Sequence, residues 1–177
     1  MVKILKSCNS FILFIFFLCV ITFHRINAQE QLLCKVNDKD FEGKIESAVL
    51  VNMGSEKFIQ VKAVDGDRIM FVYLKTTKLK PANTVTLEYR AIDSVNTTPP
   101  DAEIVWAPEG PEKPQWNSVE GKAVINQYDP ESKTISGIFD FVVEKFSYSS
   151  RANSKRPSAE ITNGRFNNIH YIEEEKK

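Results

Sequence analysis

Few residues in this chain have types and spacing that could carry chemistry. Asp140 and Glu144 share a face of the alternating run "GIFDFVVEK" at 137–145. Two carboxylates held about 5–9.5 Å apart in a cleft can hydrolyse a glycosidic bond. Two full strand alternations place this pair beyond the closer of those arrangements, and the plainer reading is a solvated strand face; Glu88 and Glu103 read the same way. His170 is the one histidine after residue 28. Zinc sites built from several histidines therefore lack ligands, and Cys34 alone does not complete a set. A Ser-His-Asp arrangement would need His170, which has no nucleophile motif beside it. Asp65-Gly66-Asp67 offers clustered oxygens, but Arg68, Ile69 and Met70 follow where a calcium loop would continue with alternating acids. The expectation is no catalytic residue, no metal and no cofactor.

What remains is a binding surface. Residues 97–116, "TTPPDAEIVWAPEGPEKPQW", hold both tryptophans and five of the eight prolines. Trp106 and Trp116 beside rigid prolines form a candidate stacking platform for a sugar or peptide, since large aromatics give contact area at low entropic cost. The alternative is that one tryptophan closes the core where this loop folds over an open sheet end.

The elements that must position these residues are strands. In "TVTLEYRAI" (84–92), Val85, Leu87, Tyr89 and Ala91 fall on one face and polar residues on the other, the mark of a half-buried antiparallel strand. "KFIQVKAVDGDRIMFVYLK" (57–75) reads as two strands about Asp65-Gly66, with a type I′ turn that wants positive φ at both central residues. Its second arm, Ile69 to Leu74, is apolar at six consecutive positions, so both faces should be covered. "LLCKV" turns through Asn37-Asp38 towards Phe41, "KIESAVLVNM" ends at Gly54, and "GKAVINQY" returns through Asp129-Pro130 as "KTISGIFDFVVEKF". "AEIVWA" (102–107) is a short strand, placed at an edge by the prolines around it. "SAEITNGRFNNIHY" (158–171) is either a hairpin about Asn163-Gly164, with Ile161 opposite Phe166, or one long strand with a bulge at Gly164. In the hairpin, a slip at Asn167-Asn168 is needed to bring Ile169 and Tyr171 inward. Residues 147–157, "SYSSRANSKRP", read as a polar basic loop.

Residues 1–28 have the layout of a secretory signal peptide: Lys3 and Lys6, an apolar run from Phe11 to Phe23, then a polar stretch ending at Ala28. The run is shorter than the ~20 residues that span a bilayer as a helix. Cleavage after Ala28 leaves 29–177 as a single domain, long enough to bury a core without staples. A lipoprotein signal at Cys19 or Cys34 is the alternative, with anchoring in the outer membrane; Cys19 lacks a small residue before it, and Cys34 lies outside the apolar run. The whole chain balances 23 basic against 23 acidic side chains. Residues 1–28 take Lys3, Lys6 and Arg25 with them, so the remainder is mildly acidic and is not built to track a phosphate backbone. Cys34, the one thiol beyond residue 28, cannot form an internal disulfide and alternates with Leu32 and Val36 as a buried strand position.

"GKAVINQYDPESKTISGIFDF" followed by "AEITNGRFNNIHY" resembles the C-terminal signature of a family of exported Gram-negative bacterial proteins whose domain has no assigned function. "CKVNDKDF" (34–41) resembles the family's opening strand and turn, with Asp38 where the family usually has Gly; Ile138 and Arg165 stand where small hydroxyl residues are common. The resemblance implies an all-β exported domain and carries over no site residue. Together the readings give an all-β domain, an antiparallel sandwich or flattened barrel of roughly seven to nine strands. It is expected in the periplasm or beyond, without a membrane span in the mature chain. Its expected role is non-catalytic: binding a protein, peptide or glycan at the cell envelope, or structural association. The alternative is a carboxylate-dependent enzyme acting on polysaccharide.

Overall fold

The computed structural model describes residues 30–91, 98–146 and 156–173. The signal-like segment 1–28, most of the basic loop at 147–157 and the last four residues lie outside the described residues.

Among the described residues ten strands follow one another: β1 (Gln31–Val36), β2 (Lys39–Met53), β3 (Glu56–Asp65), β4 (Arg68–Lys75), β5 (Val85–Glu88), β6 (Ala102–Ala107), β7 (Trp116–Asp129), β8 (Thr134–Lys145), β9 (Ser158–His170) and β10 (Ile172–Glu173). Eight of them close on themselves in the order β1-β9-β8-β7-β6-β4-β3-β2 and back to β1, while β5 lies against β7 and β10 runs parallel to β2. The fold is therefore an antiparallel barrel rather than a sandwich. Closure explains why "AEIVWA" is not at an edge: β6 pairs with β4 along its whole length and touches β7 at Val105–Asn117 and Trp106–Trp116.

Alternation decides which side chains enter. Leu32, Cys34 and Val36 of β1, Ile59, Val61 and Ala63 of β3, Met70, Val72 and Leu74 of β4, and Ile135, Phe139, Phe141 and Val143 of β8 belong to one buried cluster that fills the interior. Outward positions carry charge, as at Lys35, Glu42, Lys44, Lys122, Glu160 and Arg165. An apolar inside with a charged outside inverts the pattern of a lipid-embedded barrel. No helix among the described residues is long and apolar enough to cross a membrane. The six-residue apolar arm is fully covered on its inner face and half-covered on its outer one, where Ile69 is buried and the half-buried Phe71 and Tyr73 stack at 6.5 Å.

Two elements differ from the sequence reading, and a third decides between its two alternatives. The β3–β4 loop is Gly66-Asp67, because Asp65 pairs with Arg68, and positive φ occurs at Gly66 alone; this is the type II′ pattern. At Asn37-Asp38 both central residues do have positive φ. The long strand expected at 84–92 shrinks to Val85–Glu88, after which Tyr89 donates to the Gly121 carbonyl and leaves the ladder. Finally, "SAEITNGRFNNIH" is one strand and not a hairpin. Its register against β8 slips between Phe139 and Phe141, with Asn163 at φ 54, and again between Ile135 and Gly137, with Asn168 at φ 48. Two bulges thus replace the turn, and the second is the slip that turns Ile169 and Tyr171 inward.

The pairing of the two Gly-x-Phe motifs explains why these residues recur in that spacing. Gly137 faces Phe166 and Phe139 faces Gly164. A Cβ on Gly164 would lie 2.3 Å from the Phe139 ring, and one on Gly137 would lie 3.0 Å from Phe166. Each ring covers the other strand's bare glycine, and the two rings stack at 6.2 Å.

Candidate functional site

Bulges also shape the outer wall. Around Ser136 of β8, β7 carries an extra residue between Ile125 and Gln127, and β9 carries one between Phe166 and Ile169. A bulge leaves a backbone group without its ladder partner and re-aims the neighbouring side chains. Ser136 stabilises the β9 bulge, its hydroxyl accepting from the Asn168 N–H at 2.8 Å. Between the bulges the outer wall is hollow over the backbone of Gly137. The result is a groove of about 530 Å³.

Gly137 and the buried Phe166 floor the groove. Asn126 from β7 forms one side, and Arg165, Asn167 and Asn168 from β9 cross the middle, all exposed. Gln31 and Leu33 from β1, with Glu30 just before it, form the other side. Ile138 stands at the rim, 51 % exposed on an otherwise polar surface. Arg165 makes no ion pair with a carboxylate among the described residues. Glu30 accepts a hydrogen bond from the His170 N–H at 3.2 Å. The groove thus offers several carboxamides, one cation, one anion and apolar surface from Leu33, Ile138 and Phe166. That combination can orient a polar ligand by hydrogen bonds.

A second groove, of about 400 Å³, lies over Gly121 on the same wall and is lined by Glu88, Tyr89, Glu120, Lys122 and Asp140. Asp140 is already engaged: its Oδ1 accepts from the Asn163 N–H at 2.9 Å, satisfying the first β9 bulge. Glu144 does not line this groove. Asp140 thus stabilises a bulge, while Glu144 is half-buried further along the same strand. Burial raises the Glu103 carboxyl above its ordinary value, and burial followed by the Glu103 charge raises the Tyr89 hydroxyl.

The tryptophans part company. Trp106 is 4 % exposed and meets Phe41 edge-on at 5.3 Å inside the barrel. Arg68 lies over the Phe41 ring, 5.5 Å from its centroid, pairs with Asp65 and donates to the Asp40 carbonyl at 3.1 Å. Trp106 thus closes the core, and an exposed platform shared by both tryptophans does not form; Trp116 is half-buried opposite it. Cys34 is inside the barrel, where burial pushes its thiol up to about 12 against the opposing pull of Arg68. A thiol so held stays protonated and is a poor nucleophile. Among the described residues no group of three or more His, Cys, Asp or Glu could hold a metal ion. Asp65 pairs with Arg68 and accepts a hydrogen bond from the Glu42 N–H at 3.3 Å.

Sequence reasoning missed Asn126, Arg165 and Asn167 as surface residues of one groove. The available signal was the asparagines at "INQ" and "FNN", where strict alternation breaks. No family model, no curated protein and no solved structure matches the chain.

Proposed function

We propose that this chain is an exported, non-catalytic protein of the bacterial envelope or its surroundings that works by binding through the outer wall of its barrel. The observation that carries the reading is the placement of space. The interior is filled by side chains from the closed sheet, whereas the groove over Gly137 is built by two bulges into the outside. Fixed concavities with a few convergent polar groups are where proteins hold ligands. The charged outer wall supports a water-exposed protein, and the layout of residues 1–28 supports export. The resemblance to an exported family rests on the "GIFDF" and "ITNGRF" motifs, which this barrel uses as its reciprocal glycine–phenylalanine pairs. Anchoring through a lipidated cysteine remains the alternative form of export, with Cys19 as its candidate because Cys34 is enclosed.

The test is co-sedimentation of the mature chain with isolated Gram-negative envelopes, alongside the variant Asn126→Ala/Arg165→Ala/Asn167→Ala. Wild type should pellet and the variant should stay soluble, with no soluble fragments released from the envelope. Equal behaviour of the two proteins removes the groove from the function. Steady release of fragments, lost in Glu88→Gln or Glu120→Gln, establishes the enzyme instead. Intact mass from fractionated host cells tests the export step, a match to residues 29–177 without acyl additions being expected.

A further inference from the structure

We propose that the groove over Gly137 binds a neutral saccharide, an assignment that rests on the binding reading above and names its ligand class. Gln31, Asn126, Asn167 and Asn168 place carboxamides on both flanks. A carboxamide presents donors and an acceptor together, which matches neighbouring sugar hydroxyls that each donate and accept. Arg165 and Glu30 add one charge of each sign, so the groove has no net charge with which to favour a phosphate or a sulfate. Ile138, exposed at the rim, and Leu33, half-buried, supply apolar surface for the C–H face of a sugar ring.

The backbone argues against an extended peptide. Peptide strands bind by completing an open sheet edge. Here β1 is paired with β2 and β9, and β8 with β7 and β9, so both neighbours of each strand are present. The volume, about 530 Å³, falls within the roughly 300–1,000 Å³ of small-ligand clefts. The carboxamides stand on strands whose irregularities are fixed, because Ser136 holds the β9 bulge. Little ordering is then required on binding.

Nitrogen–proton NMR spectra of the mature chain, which resolve carboxamide side-chain signals, test this with chitohexaose, cellohexaose and maltohexaose as probes. Inorganic phosphate and a capped neutral hexapeptide serve as counter-probes. At least one saccharide should shift the side-chain signals of Asn126 and Asn167, and phosphate should shift neither. Asn126→Ala and Asn167→Ala should each weaken that binding about tenfold, the loss of a ligand hydrogen bond, while Lys122→Ala in the neighbouring groove leaves it unchanged. Saccharide binding that ignores both asparagine substitutions overturns the proposal. So does the absence of shifts with all three saccharides, and so does a response to phosphate or hexapeptide alone. If the saccharides fail while the triple variant still loses envelope co-sedimentation, the saccharide assignment falls and the binding reading stands. If co-sedimentation fails as well, both fall.

Discussion

The β8–β9 junction pairs from Thr134–His170 to Glu144–Ser158 with two slips along the way, whereas β6 meets β7 only at Val105–Asn117 and Trp106–Trp116. The first is held by interlocking shapes, with Phe139 over Gly164 and Phe166 against Gly137. The second has two paired positions and is extended by one hydroxyl. Where β7 bulges after Ser118, the buried Ser118 Oγ accepts from the Ile104 N–H at 2.7 Å and donates to the Ile104 carbonyl at 3.0 Å, replacing the missing ladder bonds. The bulges of β9 use the same device, through Asp140 and Ser136. A barrel wall can therefore tolerate extra residues if a short polar side chain lies opposite each freed backbone group. The difference between the junctions is how much depends on a single side chain.

Removing a ring should hurt most. Phe139→Ala takes a fully enclosed side chain from the interlocked junction and should cost about 3–5 kcal/mol, read from denaturant melts; a loss below 1 kcal/mol would show that the rings do not hold this wall. Gly164→Ala forces a methyl into the Phe139 ring and should cost about 2–3 kcal/mol. Combining it with Phe139→Leu should lose less than the sum of the two single changes, and strict additivity would mean that the two residues do not interlock. Ser118→Ala leaves the Ile104 backbone groups unsatisfied and should cost about 1–2 kcal/mol. Amide exchange at Ile104 should accelerate while that of Phe139 keeps its rank, and uniform acceleration would deny the seam any local character.

The smallest effect concerns pH, on the outer wall beside the seam. Burial raises the Glu103 carboxyl above its ordinary 4.5, so the folded chain retains a proton that the unfolded chain releases. The resulting stabilisation is fully present below the ordinary value and is lost as pH rises through the raised one. Glu103→Gln should flatten this decline, gaining on wild type at neutral pH relative to pH 4. Denaturation midpoints at the two pH values measure it, and parallel slopes would remove Glu103 from the pH response.

Much of the fold was legible because a strand has a side-chain period of two. Leu32, Cys34 and Val36 point inward wherever the strand is placed, and Asn37-Asp38 turns because short polar side chains tolerate positive φ. Legibility failed where the period was broken. "ITNG" has the composition of a turn, yet Asn163-Gly164 is a bulge, and the choice rests on Asp140 lying opposite to take the Asn163 N–H. Trp106 alternates with Ala102 and Ile104, but the prolines around it favoured an exposed edge; it is enclosed because closure brings Phe41 against it.

Residue type and local alternation were enough to read an all-β chain and the inward faces of its strands, because both are set within a few neighbouring positions. Tertiary structure alone decided that the sheet closes and that a half-buried strand ends at Glu88. It also brought Asn126, Arg165 and Asn167 around one hollow. The physical reason is that register and closure depend on partners far away in the chain, and a bulge is read only against the strand that it fails to match.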